Sequence, residues 1–337
     1  MRVFFAEVFK AHETPRGHPE SPARLDAALR GVRSAGAPIE APAPRDDVAL
    51  WIKEAHEESY IRYVEDLCSI GGVEELDGDT YVSSSTCSAA AAAVSSILTA
   101  LDLRDNAYIL ARPPGHHAGR RGKALTAPTQ GFCIFNTAAI GALYSGDGIA
   151  VVDIDVHHGN GTQEILYERD LLYISIHQDP ATLYPGTGFP EEVGKGKGEG
   201  YNINMPMPPA TGDDGLRLAF SEIVMPVLRQ YSPRAIIVSL GWDAHKDDPL
   251  ADMNFSLHGY KYAIESMLSL GRPVLFLLEG GYNLSTVEGG SLMLAEILSG
   301  KSPEIYDEPT ESDHYAWGKL ERTLGEVKRL HAKYWRF

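Results

Sequence analysis

The stretch Ala150-Val151-Val152-Asp153-Ile154-Asp155-Val156-His157-His158-Gly159-Asn160-Gly161 decides how the rest of the chain is read. It opens on an apolar, β-branched run, the pattern of a strand buried on both faces of a parallel sheet. It then delivers Asp153, Asp155, His157 and His158, at the carboxyl end of a strand, where open α/β sheets place their ligand crevice. Burying that many ionisable groups is costly unless a metal ion or charged partners compensate. Side chains alternate along a strand, so Asp153, Asp155 and His157 are expected on one side. An Asp-x-His pair there suits a hard-to-borderline metal, zinc first. A salt-bridge and capping network ahead of the next helix fits the same stretch equally well when it is taken alone.

Working outward, strand patterns at 1–8, 107–110, 171–177, 235–240 and 273–278 alternate with helical patterns. The first helix starts at Ser21-Pro22, with Leu25, Ala28, Leu29 and Val32 as its apolar stripe; others run over 51–70, 88–101, 214–229, 256–270 and 285–298, and from Asn136 and Thr162. Residues 37–44 read as a connection, 76–81 as a polar loop, and 178–200 as a Gly-rich loop. Strands alternating with helices predict βαβ units, hence an α/β fold with a parallel sheet covered on both faces. No repeat or linker interrupts the pattern, so 1–337 is expected to form a single domain, with 301–337 a polar, helical C-terminal appendage.

Composition narrows the function. A chain of 337 residues with 44% hydrophobic and 23% charged residues has the balance of a globular protein. The net charge of −16 argues against duplex nucleic acid as a direct partner. It would attract cationic substrates, though such a charge equally serves solubility. No apolar run reads as a membrane span, and the start lacks a signal-peptide pattern. Cys68, Cys87 and Cys133 are odd in number and unpatterned, which points to a reducing, cytoplasmic setting.

Four strands end in unusual polar sequences: Arg112-Pro113-Pro114-Gly115-His116-His117, the opening stretch, Gly241-Trp242-Asp243-Ala244-His245, and Glu279-Gly280-Gly281-Tyr282. Each alone has a structural explanation as a cap or a satisfied core group. In a parallel sheet, however, all four open on one edge and can converge. Asp155, His157 and Asp243 would then give three protein ligands and an open position, the arrangement of a catalytic metal. Paired imidazoles suit proton transfer near neutral pH, and a phenol can donate to a developing oxyanion. Together these describe metal-assisted hydrolysis of a carbonyl compound such as an amide.

The motifs Pro113-Pro114-Gly115-His116-His117, Gly131-Phe132-Cys133-Ile134-Phe135-Asn136, Asp153-Ile154-Asp155-Val156-His157-His158-Gly159, Tyr184-Pro185-Gly186-Thr187-Gly188, Asp243 with Asp248-Pro249-Leu250, and Gly280-Gly281-Tyr282 resemble the zinc-dependent histone deacetylase and acetylpolyamine amidohydrolase family. The resemblance runs in order from Val3 to Leu298. It implies an arginase-like fold with a mostly parallel eight-stranded sheet. It also implies one Zn2+ on Asp155, His157 and Asp243; His117 as general base and acid with His116 assisting; and Tyr282 on the acetyl oxygen. Phe132 and Tyr184 would wall an acyl-lysine tunnel, Tyr184 standing where Phe is usual, and Gly131 would offer its carbonyl to the substrate amide. Asp153, Asp155, His157, Ser175 and Ile176 match a structural K+ site.

Asn160 stands where one branch has Asp beside the second histidine, and with His18-Pro19-Glu20 it looks class II-like. Asn should leave His117 less basic than Asp would. The basic loop 118–130, and Leu250 where a polyamine-selective branch carries Glu, favour acetyl-lysine over acetylpolyamine; Asp77 or Asp79 would either hold substrate at the rim or shape a turn. A binuclear manganese ureohydrolase would need a carboxylate where this chain has His245. A silent acyl-binding scaffold could have lost the histidines or Tyr282, yet all are present. The substrate stays open between a protein acetyl-lysine and a small acetylated amine. So does the oligomeric state, for which the 118–130 loop and the appendage are the places to look.

Overall fold

The computed structural model describes residues 1–337. In chain order its main elements are β1 (Arg2–Phe4), α1 (Ala23–Ser34), β2 (Ile39–Glu40), α2 (Val48–Ala55), α3 (Glu58–Ile70), β3 (Val73–Glu75), β4 (Tyr81–Ser83), α4 (Thr86–Leu103), β5 (Ala107–Ile109), α5 (Thr137–Ser145) and β6 (Ile149–Asp153). There follow α6 (Asn160–Leu166), β7 (Leu172–Gln178), β8 (Asn202–Met207), α7 (Asp213–Ala219), α8 (Met225–Tyr231), β9 (Ala235–Leu240), α9 (Leu257–Leu268), β10 (Val274–Leu278), α10 (Leu284–Leu298) and α11 (His314–His331). Eight strands form one sheet in the order β2-β1-β5-β10-β9-β6-β7-β8, and every pairing in it is parallel. β3 and β4 make a separate antiparallel hairpin.

Every residue of β5 to β10 is buried on both faces of the sheet, which requires a helical layer on each side. One layer contains α2 to α6, and the other contains α1, α7, α9, α10 and α11. This is the arginase/deacetylase architecture expected above, with a wholly parallel main sheet. α4 is long and apolar enough by composition to cross a membrane, contrary to the expectation that no segment is. Here it packs against α2, α3, α5 and β5.

Several local expectations are corrected. The helix expected over 51–70 is broken at His56, whose backbone is extended (φ −120°, ψ 147°). Leaving the helix lets the buried imidazole meet Gly119 O at 2.8 Å and accept Asn136 N–H at 2.9 Å. The helix expected over 214–229 is interrupted by a π-helical turn, Phe220–Val224, before Pro226. Strand β8 falls between the 178–200 loop and the helix expected from 214, where no element is expected: its Asn202, Asn204 and Pro206 obscure the pattern. The side-chain amide nitrogens of its two buried asparagines donate to Gln163, Phe189 and Glu192, while Asn204 Oδ1 has no partner. The appendage is only partly helical, because 301–313 has no regular secondary structure; α11 then lies along β8, and Lys319 pairs with Asp179 at 2.5 Å. Finally, Cys68 and Cys87 form a disulfide tying α3 to α4, with Cα atoms 6.3 Å apart, and only the buried Cys133 is free. The cysteines therefore no longer argue for a reducing compartment.

Candidate active site

Four strand ends on the carboxyl edge converge. β6 stops at Asp153; Ile154 N–H still bonds Ser239 O and Val156 O accepts Gln178 N–H, but the turn beyond is shaped by its own side chains. Asp153 Oδ1 accepts Asp155 N–H (3.2 Å) and Asp155 Oδ1 accepts His157 N–H (2.9 Å). Such local bonds compete with regular strand pairing. They turn Asp155 and His157 together while Asp153 faces His116, so the three do not share one role.

Asp155, His157 and Asp243 bring one ligand atom each within 4.8 Å of one another. His157 Nδ1 lies 3.1 Å from Asp155 Oδ1 and 3.2 Å from Asp243 Oδ2. Both carboxylates are fully buried. Two glycines make room for them: a Cβ on Gly280 would strike Asp243 Oδ2 and stand 2.6 Å from Asp155 Oδ2, and one on Gly241 would strike both side chains. Burial, then the neighbouring Asp155, pushes Asp243 up to about 7, while His116 and His157 overcome burial to hold Asp155 low. Two acids forced together with an imidazole in a dry cradle form a donor set that a divalent cation fits. His245 is not available as a further ligand. Its Nε2 is 2.9 Å from Asp307 and its Nδ1 accepts Asp247 N–H (3.2 Å).

The tandem histidines stand beside this triangle, their rings 4.0 Å apart, with His117 5.9 Å from His157. His116 Nδ1 is 3.1 Å from Asp153 Oδ2. Burial opposes a charge there, but Asp155 and Asp153 outweigh it and push His116 up to about 10. Burial, then the neighbouring His116 and His157, holds His117 well below the usual imidazole range. Asn160 fixes its tautomer: the amide Nδ2 donates to Ala124 O (3.0 Å), so Oδ1, 2.7 Å from His117 Nδ1, must accept. His117 therefore carries its proton on Nδ1 and keeps a lone pair on Nε2.

Tyr282 is half-buried across from them, its ring 5.9 Å from Phe132. Arg24, fully buried, lies 5.1 Å over the Tyr282 ring, donates to Gly281 O (2.6 Å) and Glu279 O, and meets Glu20 at 3.2 Å. Asp248 accepts the backbone N–H of Tyr282 (2.6 Å) and Asn283 (3.1 Å). Glu279 caps the Gly115 and His116 N–H groups at 2.7 and 3.3 Å. These supporting roles of Arg24, Asp248 and Glu279 were not read from the sequence. Only Asp248 and Glu279 lie inside the strand-end and family motifs; Arg24 lies in none of them.

Phe132 adopts φ +69° and Gly131 φ +52°, and a Cβ at Gly131 would stand 2.6 Å from His117 and 2.9 Å from Tyr184. Tyr184 stacks edge-on to His117 at 5.0 Å, with its hydroxyl donating to Thr129 O (2.9 Å). The Asp77 and Asp79 carboxylates are engaged in loop bonds, Asp77 with Thr80 N–H (3.1 Å) and Gln130 N–H (2.8 Å), Asp79 with the Thr80 (2.7 Å) and Thr129 (2.5 Å) hydroxyls. That is the turn-shaping alternative. Leu250 is half-exposed beside Asp248 Oδ1, which accepts its N–H at 3.1 Å. In the basic loop, Arg121 pairs with Glu57 (2.7 Å) and Lys123 reaches Pro128 O (3.4 Å), so these charges brace the fold. Ser175 stands in register with Asp153, but its hydroxyl is bonded to His177 Nδ1 (2.8 Å); Ile176 follows it on β7. His158 bonds Thr187 and Gln163, away from the triangle.

Comparison with known proteins agrees with this geometry. The histone deacetylase domain matches residues 18–298. The chain belongs to the histone deacetylase family. A probable deacetylase of Archaeoglobus fulgidus is 34% identical, covering 99% of this chain and 98% of that one. Histone deacetylase 15 of Arabidopsis thaliana is 35% identical over 90% of this chain and 56% of its own. The crystal structure of the HDA15 HD domain superposes with a TM-score of 0.87 at 30% identity, covering 99% of this chain and 97% of that one. The protein is a deacetylase, a hydrolase of amide bonds, and its substrate carries an acetyl group.

Proposed function

We propose that this deacetylase is zinc-dependent and removes acetyl groups from lysine side chains of proteins. The observation that carries the reading is the Asp155–His157–Asp243 triangle lying beside a histidine whose Nε2 lone pair is free. A divalent cation held by the triangle supplies Lewis-acid polarisation of the acetyl carbonyl and of a water. His117 Nε2 takes the proton of the attacking water and later returns it to the leaving amine. His116, kept cationic by Asp155 and Asp153, faces the negative charge that develops, and the Tyr282 hydroxyl donates to the oxyanion. Phe132 and Tyr184 flank the lysine methylenes, and Gly131 O accepts the substrate N–H. The Asp153–Ser175 register supports a structural potassium ion among Asp153, Asp155, His157, Ser175 and Ile176.

Acetyl-lysine is favoured over acetylpolyamine by Leu250 and by the engagement of Asp77 and Asp79 in loop bonds, which leaves a polyamine ammonium no dedicated partner in them. The test is kcat/KM for an acetyl-lysine peptide, a longer acyl-lysine peptide and acetylspermidine, with and without chelator and zinc. Preference for acetylspermidine would reverse the substrate assignment. Two manganese ions per chain by elemental analysis would replace the mechanism.

A further inference from the structure

The segment 301–313, which has no regular secondary structure, lies outside the residues that match the deacetylase domain, yet it reaches the loop that carries Asp243. Its Asp307 is 15% exposed at the side chain and gathers donors from two elements. Oδ2 is 2.9 Å from His245 Nε2 and accepts Leu257 N–H at 2.9 Å; Oδ1 receives Lys246 Nζ at 2.5 Å; its carbonyl meets His258 Nε2 at 2.8 Å. Because Asp247 N–H donates into His245 Nδ1, the His245 ring proton sits on Nε2 and is given to Asp307. The segment is held down on the far side as well. Thr310 N–H and Ser312 N–H bond Asp213 (3.0 Å) and Asp214 (2.8 Å) at the start of α7.

His245 and Lys246 follow Asp243 after a single residue, Ala244, on a turn with no strand pairing of its own beyond one bridge, His245 to Phe255. The same turn delivers Asp248 to the Tyr282 backbone. An anchor on 245–246 thus restrains both the third metal ligand and the oxyanion donor. We propose that Asp307 is a positioning residue, and the 301–313 segment a clasp, that holds the Asp243–Asp248 turn in the geometry catalysis needs. The inference rests on the zinc deacetylase reading for its catalytic consequence. Its structural part stands independently.

The test uses the full chain carrying Asp307→Ala, Asp307→Asn, or His245→Ala. Partners that orient metal ligands change affinity or activity by about 10–100-fold when removed. Asp307→Ala is therefore expected to speed zinc release to a chromophoric chelator and to lower kcat, each by about that factor, with KM little changed. Asp307→Asn should fall between, since its amide oxygen still accepts from His245 while the ion pair to Lys246 is lost. Adding His245→Ala to Asp307→Ala should cost less than the sum, because both act through one contact. Amide exchange over 241–250 in the metal-free chain, faster in Asp307→Ala, reads the clasp even if the wild type deacetylates none of the substrates tried. A variant that melts lower but keeps wild-type zinc release, kcat and exchange over 241–250 would overturn the proposal and leave Asp307 a purely structural ion pair. If Asp307→Ala does not fold, Asp307→Asn and Lys246→Met are read by the same three measurements.

Discussion

Asn160 Oδ1 lies 2.7 Å from His117 Nδ1, and the other end of the same amide is pinned to Ala124 O. The histidine is therefore oriented by a neutral acceptor, one that fixes the tautomer without adding charge. Asn160→Asp puts a carboxylate there, which stabilises the imidazolium and raises the pKa of the base. The acid limb of the kcat/KM profile should move to higher pH, by about one unit or more. A limb that stays in place would mean that His117 is not the titrating base.

Tyr282→Phe removes the hydroxyl while leaving the ring to pack beneath Arg24 and beside Phe132. Loss of a single oxyanion donor costs about 10²–10³-fold in kcat. The variant should keep the metal content of the wild type and fold normally, so that the loss appears in single-turnover rates.

Arg112 and Glu20 are both fully buried, with Arg112 Nη2 2.7 Å from Glu20 Oε2 and Nη1 3.0 Å from His12 O. Arg112→Met leaves the buried carboxylate with Arg24 (3.2 Å) as its remaining guanidinium partner and should cost up to about 3–5 kcal/mol in urea unfolding. The double variant with Glu20→Gln should recover part of it, because the under-compensated buried charge is gone.

Acid should destabilise the fold through buried histidines. Burial holds His56, His177 and His331 at about 4, against an ordinary 6.5. Between those values the unfolded chain binds protons that the folded chain refuses, so stability falls as pH drops from 6.5 and stops falling from this cause below 4. Both His331 ring nitrogens lack a partner. His331→Leu should flatten part of the slope of urea midpoint against pH, and an unchanged slope would remove His331 from the account.

The candidate site residues were legible because they are chemically out of place: Asp153 to His158 cannot follow a buried strand without a reason. The sheet was legible where its strands are continuously apolar, as at Ala235–Leu240, and invisible at β8, where Asn202, Asn204 and Pro206 break the pattern. Helical periodicity over 51–70 did not reveal that His56 is needed elsewhere, since its partners Gly119 and Asn136 lie far along the chain. The Cys68–Cys87 pair was hidden for the same reason. Arg24 read as an ordinary polar position on an amphipathic helix; only the assembled fold lays it on Tyr282.

The parallel arrangement of the main sheet divides the molecule into a working rim and a quiet base. All the groups assigned to chemistry hang from strand exits, whereas strand entries such as Ile149, Ala235 and Val274 meet only short turns from the preceding helices. Rim loops can thus be rewritten, for a wider tunnel or another acyl chain, without re-engineering the scaffold. The base is the side on which to attach a surface tether or an inserted reporter.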